Sequence, residues 1–315
     1  MPSAPSTTAS SPPMAPVFPL IVGMLAISFA PILVRYSNAP VSVQGMYRML
    51  FTVALMLPFG AKQLGSVRKI SVKDWLLLGA AGFFLALHFL LWMASLSYTS
   101  IASSTIILSL EPVFVMIGAF FLFKDRLNRR GVIGMAIAFA GVVLVGSADS
   151  GVSRSAVLGD SLSLLGTLAI VFNMLIAKRI LTRVPSYLYS LIVFAVTFFC
   201  FWAYNLVCGI SVTDYPPREW LVFALLAVVP TVFGHMIFNW LLQYVKPTTI
   251  SMTVLAEPIG SSLLGMLLFR EMIGGLQLTG GAFVILGLIL YMRAESSPAS
   301  RSSPKKPGKT DTVAS

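Results

Sequence analysis

Charge is what this chain has least of. Asp and Glu number 11 and Lys and Arg 22 among 315 residues, so charged side chains make up 10% of the sequence, against ~25% in an ordinary globular domain. Apolar residues account for 57%, and the mean hydropathy is +0.88. No water-soluble fold of this length hides that much apolar surface. Histidine and cysteine are nearly missing, with two of each. Cys200 and Cys208 fall on one predicted helix, ~12 Å apart along its axis, which is too far for a disulfide with each other. They read as small apolar fillers. There is no phosphate loop, no CxxC and no His/Cys cluster at metal-ligand spacing. No enzymatic site, metal or cofactor is therefore expected. The net charge of +11 lies in short loops and a tail, where it orients helices in a bilayer, so no nucleic-acid partner is expected either.

What fills the chain is long apolar runs. A spanning helix needs ~20 residues, and ten such segments occur near 17–35, 43–59, 75–96, 101–123, 131–148, 157–178, 186–207, 219–242, 249–269 and 273–292. The fold class expected is all-α, a polytopic membrane protein with ten transmembrane helices. Apart from Met1 and Met14, residues 1–16 are Pro, Ser, Thr and Ala, without Lys or Arg. They read as a disordered tail lacking the basic region of a cleaved signal. Residues 293–315 read as a second disordered tail, basic in character. With the N-terminus placed in the cytoplasm, 17 Lys and Arg fall on the cytoplasmic side and 4 on the other, leaving Arg48 inside the second helix. That bias places both termini in the cytoplasm.

Leu110-Glu111-Pro112 and Ala256-Glu257-Pro258 each set an acid and a proline in the middle of an apolar run. The two Glu are 146 positions apart, and the offset holds around them. Tyr98 falls on Tyr244, Leu96 on Leu242, Phe123-Lys124-Asp125 on Phe269-Arg270-Glu271, Gly134 on Gly280 and Gly141 on Gly287. The match runs without a gap over about 50 residues, on the third to fifth and eighth to tenth of the expected helices, so the chain contains an internal duplication. Five helices separate equivalent positions, and an odd number of crossings turns the second copy upside down. Inverted repeats place a substrate site near the midplane and work by alternating access.

These motifs resemble the EamA domain. The first copy carries Leu110-Glu-Pro-Val-Phe-Val, Leu122-Phe-Lys-Asp-Arg-Leu and the glycine-rich run from Gly131; the second carries Ala256-Glu-Pro-Ile-Gly, Leu268-Phe-Arg-Glu and Gln277-Leu-Thr-Gly-Gly. Met46-Tyr-Arg-Met-Leu-Phe looks like the family's arginine in helix two. The chain is similar to the ten-helix drug/metabolite transporter superfamily over nearly all of residues 17–292. The resemblance implies a secondary transporter, often an inner-membrane exporter of amino acids or related metabolites, and it implies no particular substrate. The second copy lacks the extended basic loop of the first, as expected if that loop faces outward.

Intramembrane ionisable residues are functional candidates by default. Glu111 and Glu257 suit proton coupling or pairing with a cationic substrate group; the plainer account is a structural pair at two helix kinks, Pro112 and Pro258. His88 and His235 sit mid-helix, 23 and 22 residues before their acids, and suit a proton relay or a substrate carboxylate; satisfied core histidines are the alternative. Trp92 follows His88 by four residues and Asn239 follows His235 by four, so each pair shares a helix face. Arg48 either clamps a substrate carboxylate or, on the favoured reading, pairs with Glu111 or Glu257. Asn173 has a lesser claim on the same cavity. Tyr98 and Tyr244 read as interfacial anchors, and the mid-helix glycines as close-packing positions.

The expectation is a secondary transporter that exports amino acids or similar metabolites, proton-coupled or facilitative. Its partners would be a small-molecule substrate and the lipid bilayer of the inner or plasma membrane, and the protein would be a monomer or homodimer. An exchanger of anionic metabolites, of the nucleotide-sugar or sugar-phosphate type, would need more cavity cations than one guanidinium. A non-transporting scaffold would have no use for a duplicated pair of buried acids.

Overall fold

Apolar runs in a bilayer satisfy their own backbone groups only as helices or closed barrels, and here they are helices. A computed structural model describes residues 14–99, 104, 107–125, 128–147, 154–269 and 275–296, and no strand occurs among them. Helix α1 (Val17–Tyr36) is interrupted at Phe29, where Pro31 has no N–H to continue the ladder. Then come α2 (Val41–Leu64), a 3₁₀ stretch (Gly65–Lys69) and α3 (Val72–Ser95), whose N-cap Ser71 accepts from the Asp74 N–H. They are followed by α4 (Glu111–Phe123), α5 (Arg129–Ser147), α6 (Arg154–Ile180) and α7 (Ser186–Val207). Helix α8 (Pro217–Leu241) widens into a π-helical stretch over Ala227–Met236. The chain closes with α9 (Pro247–Val254), α10 (Glu257–Phe269) and α11 (Gly275–Ser296).

Three sequence expectations change. The run expected as one helix over 249–269 is two, because Leu255 and Ala256 form a turn. Ser109 and Leu110 form the matching turn ahead of α4, and residues 101–103, 105 and 106 of that expected span lie outside the described residues. Both breaks follow from proline: Pro112 and Pro258 cannot donate to the carbonyls four residues back. The chain tightens instead, with Leu110 N–H donating to Ile107 and Ala256 N–H to Thr253, both over three residues. At the C-terminus, α11 runs four residues past the expected end at 292. Ala294 is buried and its carbonyl accepts from Asn128 Nδ2 at 3.0 Å. Residues 1–13 and 297–315, and Arg126, Arg270 and Glu271, lie outside the described residues.

By length and apolarity, five helices among the described residues can cross a bilayer: Val17–Tyr36, Val72–Ser95, Val157–Ile180, Ser186–Val207 and Pro217–Leu241. Two shorter apolar helices, Glu111–Phe123 and Leu278–Ala294, accompany them. Ten spans are not reached on these criteria, because the Glu-Pro breaks shorten two runs and Gln44 and Arg48 dilute α2. The surface is inverted relative to a soluble protein. Phe59, Leu76, Phe121, Leu206, Val207 and Leu267 are exposed, while Arg48, Glu111, Thr197, Thr231 and Glu257 are buried. Such a molecule is an integral membrane protein.

The packing repeats between halves. Helix α3 lies on α6 as α8 lies on α1, and α4 touches α6 as α10 touches α1; α2 pairs with α7 and α5 with α11. At the α5–α11 seam a Cβ on Gly134 would meet Gly287 O at 2.8 Å, and one on Gly141 would meet Gly280 O at 2.5 Å. Given the 146-residue offset, these are one contact with the copies exchanged. Numbers rise along α5 as they fall along α11, so the two equivalent helices run antiparallel. Only glycine permits the approach, since the atoms in the way are backbone. Gly134→Val should therefore lower stability by about 1–3 kcal/mol, read as an earlier thermal unfolding midpoint in detergent. Gly79→Ala, where nothing lies within 4 Å of the added Cβ, should leave it unchanged or raise it slightly.

Candidate functional site

The two acids enter the interior on helix starts. Glu111 and Glu257 occupy the first turns of α4 and α10. A proline is tolerated there, because its missing N–H has no intrahelical partner to lose, and a negative charge is favoured by the helix dipole. The two turns are built alike: Leu110 O accepts from Val113 and Phe114, and Ala256 O from Ile259 and Gly260. Both carboxyl side chains are buried, and Glu111 Oε1 has no hydrogen-bond partner. The acids are close enough to interact electrostatically with one another, and Glu257 with Arg48.

Arg48 rises from α2 with no exposed surface. Its Nε donates to Thr231 Oγ1 at 2.6 Å, and its guanidinium carbon sits 4.1 Å above the Phe89 ring centroid. Neither Glu111 nor Glu257 comes within 4.0 Å, so the pairing favoured on sequence grounds is not made. The reason lies in α8. Pro230 leaves the Leu226 carbonyl without its usual donor, the helix widens, and Thr231 Oγ1 donates to Leu226 O at 2.8 Å. That hydroxyl then accepts from Arg48, turning the guanidinium away from the acids. Its Nη1 and Nη2 are left without hydrogen-bond partners. A buried charge left uncompensated costs several kcal/mol, so a ligand or water is the fitting occupant of the space in front of it.

The aromatic and imidazole groups gather around this fork. His88 Nδ1 lies 2.9 Å from Gly166 O; a carbonyl only accepts, so Nδ1 carries the proton and donates. Trp92 stacks on His88 with centroids 6.0 Å apart and planes at 7°, and its Nε1 has no partner. His235 meets Phe89 edge-on at 5.1 Å. Asn173 Nδ2 donates to Ala81 O at 2.9 Å and Asn239 Nδ2 to Ser190 Oγ at 3.2 Å. All eight sequence candidates, Arg48, His88, Trp92, Glu111, Asn173, His235, Asn239 and Glu257, line one cavity of about 680 Å³, its mouth included. Pro112 and Pro258 stand at the helix starts that deliver its acids. Both copies contribute equivalent wall positions, such as Trp92 with Phe238 and Leu108 with Val254. Arg48 has no cationic counterpart in that wall. Among the described residues no group of three His, Cys, Asp or Glu could hold a metal.

Sequence reasoning missed Thr231 and Phe89, which set the direction of Arg48. The signal was present in Val229-Pro230-Thr231: a proline inside an apolar run frees a carbonyl, and the next residue carries a hydroxyl able to serve it. Tyr98 and Tyr244 lie on the turns after α3 and α8 and take no part in the cavity wall. Thr231→Val keeps the shape and removes the acceptor. It should lower stability by about 1–3 kcal/mol through an unpaired buried donor, seen as an earlier denaturation midpoint that Thr231→Ser restores.

A model described as the EamA-like transporter family matches residues 14–147 and again 157–293. The uncharacterized transporter YyaM of Bacillus subtilis is 24% identical over 253 residues, 78% of this chain and 80% of that protein. An uncharacterized transporter of Archaeoglobus fulgidus is 26% identical over 254 residues, 78% of this chain and 84% of its own length. The thiamine-repressible mitochondrial transport protein THI74 of Saccharomyces cerevisiae is 26% identical over 188 residues, 55% and 49% of the two chains. A crystal structure described only as that of a protein superposes with a TM-score of 0.75 at 17% identity, over 89% of this chain and 99% of that one; at that identity the likeness is one of fold.

Proposed function

The chain belongs to the EamA-like transporter family, and from that premise we propose that it exports amino acids or related amphipathic metabolites across the plasma membrane by alternating access. It is an integral membrane transporter; the substrate, the direction and the coupling are the proposal. The observation that carries it is the shared cavity. A guanidinium with two free nitrogens and an acid with a free oxygen face one buried space, which suits the carboxylate and ammonium of a zwitterion. The remaining wall is mostly apolar, from residues such as Ile27, Ile170, Met174 and Phe238, and accepts an aliphatic or aromatic side chain.

Ten crossings in two inverted five-helix repeats, over 17–148 and 157–292, with both termini in the cytoplasm, is the topology this reading uses. The antiparallel contact of α5 with α11 supports the inversion, since copies facing opposite ways bring equivalent helices together head to tail. Proton coupling rests on Glu111 and Glu257, two acids sharing one low-dielectric space. An exchanger of phosphorylated anions is the second reading, and the single cavity cation counts against it.

Glu257→Gln in proteoliposomes should abolish or uncouple substrate flux while the protein still inserts and remains monodisperse. Proton-dependent flux that is unchanged in that variant would rule out the coupling role. Arg48→Met should weaken the thermal stabilisation produced by amino acids roughly ten- to hundredfold in concentration, the range for losing a charge-assisted hydrogen bond. Amines lacking a carboxylate should lose nothing. An amino-acid library that shifts the melting temperature of neither protein would turn the assignment toward another substrate class.

A further inference from the structure

Two basic side chains outside the cavity make the same contact in the two halves. Arg35, at the end of α1, donates from Nη2 to Leu96 O at 3.3 Å and Thr99 O at 3.1 Å. Lys178, at the end of α6, donates from Nζ to Leu242 O at 2.7 Å and Val245 O at 2.9 Å. The acceptors are 146 positions apart, as the acids are; the donors are 143 apart, as are Gly23 and Gly166. In each case a cation ties down carbonyls at the C-terminal end of α3 or α8, where the helix dipole favours positive charge.

These ties join, at the helix ends, two groups of helices that also meet through Phe89 and His235 beside the cavity. Helices α3, α4 and α6 form one group and α1, α8 and α10 the other; the cavity is walled by both. Arg35 reaches from the second group to α3, and Lys178 from the first group to α8. The ties also lie at opposite ends. Helix α6 runs antiparallel to α3: Gly166 lies against Trp92, and Asp160 accepts from Thr99 at 2.9 Å. The Arg35 tie therefore sits beside residue 160 of α6, while Lys178 is eighteen residues further along, ~27 Å away. That distance nearly equals the ~30 Å hydrocarbon thickness. Asp125 acts electrostatically on Lys178; its repeat equivalent Glu271 lies outside the described residues.

We propose that Arg35 and Lys178 are the latches of two gates, one at each end of the cavity, and that transport opens them in alternation. Both are fastened in this structure. Releasing one lets the two groups part at that end while the other latch serves as the pivot. This rests on the transporter reading above.

The test needs no known substrate. In a Cys200→Ser/Cys208→Ser background, Met174→Cys places a probe in the cavity wall, and a membrane-impermeant maleimide is applied to vesicles of each orientation. Arg35→Met should raise the labelling rate about tenfold from the face bearing Arg35 and lower it from the other; Lys178→Met should do the reverse. Lys178→Arg and Arg35→Lys, which keep a cation in place, should stay near the parental rates. If Arg35→Met fails to insert, Arg35→Gln makes the same comparison. A parental probe whose rates are unchanged in the Met variants, or one variant opening both ends, overturns the latches alone. A probe reached from neither face in any of these proteins overturns the transporter reading with them.

Discussion

A guanidinium held in an apolar interior with no carboxylate within 4.0 Å is the condition around which this molecule is arranged. Arg48 has no water-exposed surface, one side-chain hydrogen bond and one aromatic platform. A single cation–π contact on Phe89 and one bond to Thr231 do not replace a hydration shell. The arrangement is stable as a resting state only if the space before Nη1 and Nη2 is filled by something anionic or dipolar. Everything near it serves that end. Pro230 widens α8, the widening places Thr231, and Thr231 holds Arg48 away from acids that would otherwise neutralise it. An Arg48–Glu257 ion pair would close the site to a substrate carboxylate; a hydroxyl partner keeps the charge available.

Duplication supplies the container and departures from it supply the chemistry. The Gly134–Gly287 and Gly141–Gly280 contacts, the two tightened turns before the acids and the two carbonyl clamps all recur with the copies exchanged. These are the parts that hold or move the helices. The polar lining is less regular: Asn173 stands where the other copy has Ala30, Trp92 where it has Phe238, and Arg48 is without an equivalent. A symmetric framework can present the same cavity to either side of a bilayer. An asymmetric lining fixes which end of a substrate goes where.

How much of this the sequence carried depends on the range of the interaction. The Glu-Pro motifs, the offset between them and the rare ionisable residues are local and costly in a bilayer, so they stand out; the eight residues chosen on that basis line one cavity. Helix ends and continuity were less legible. The run over 249–269 reads as one helix because its apolarity is unbroken, and Pro258 was taken as a bend where the backbone tightens into a separate turn. Hydrogen bonds across more than 150 residues were not legible at all. Nothing in α2 says that Arg48 meets Thr231, 183 positions later, and charge complementarity alone pointed to the wrong partner. Arg35 and Lys178 passed as orientation charges because the rule that counts cations by side is blind to carbonyls a helix end leaves open.

Those two roles are compatible, and their combination explains why the latches are cations. Carbonyls at the end of a helix cannot move out of the interface without losing their donors, and water reaches them only when the end opens. A basic side chain satisfies them while the end is shut and is itself solvated when the end is exposed, so neither state leaves a charge stranded in hydrocarbon. An acidic latch would meet carbonyls with repulsion, and an apolar one would leave them unpaired. The cavity makes the opposite choice: two nitrogens of its cation have no hydrogen-bond partner. Exchangeable partners at the ends and an unmet demand at the centre give the bundle a reason to rock and the substrate a reason to be bound between movements.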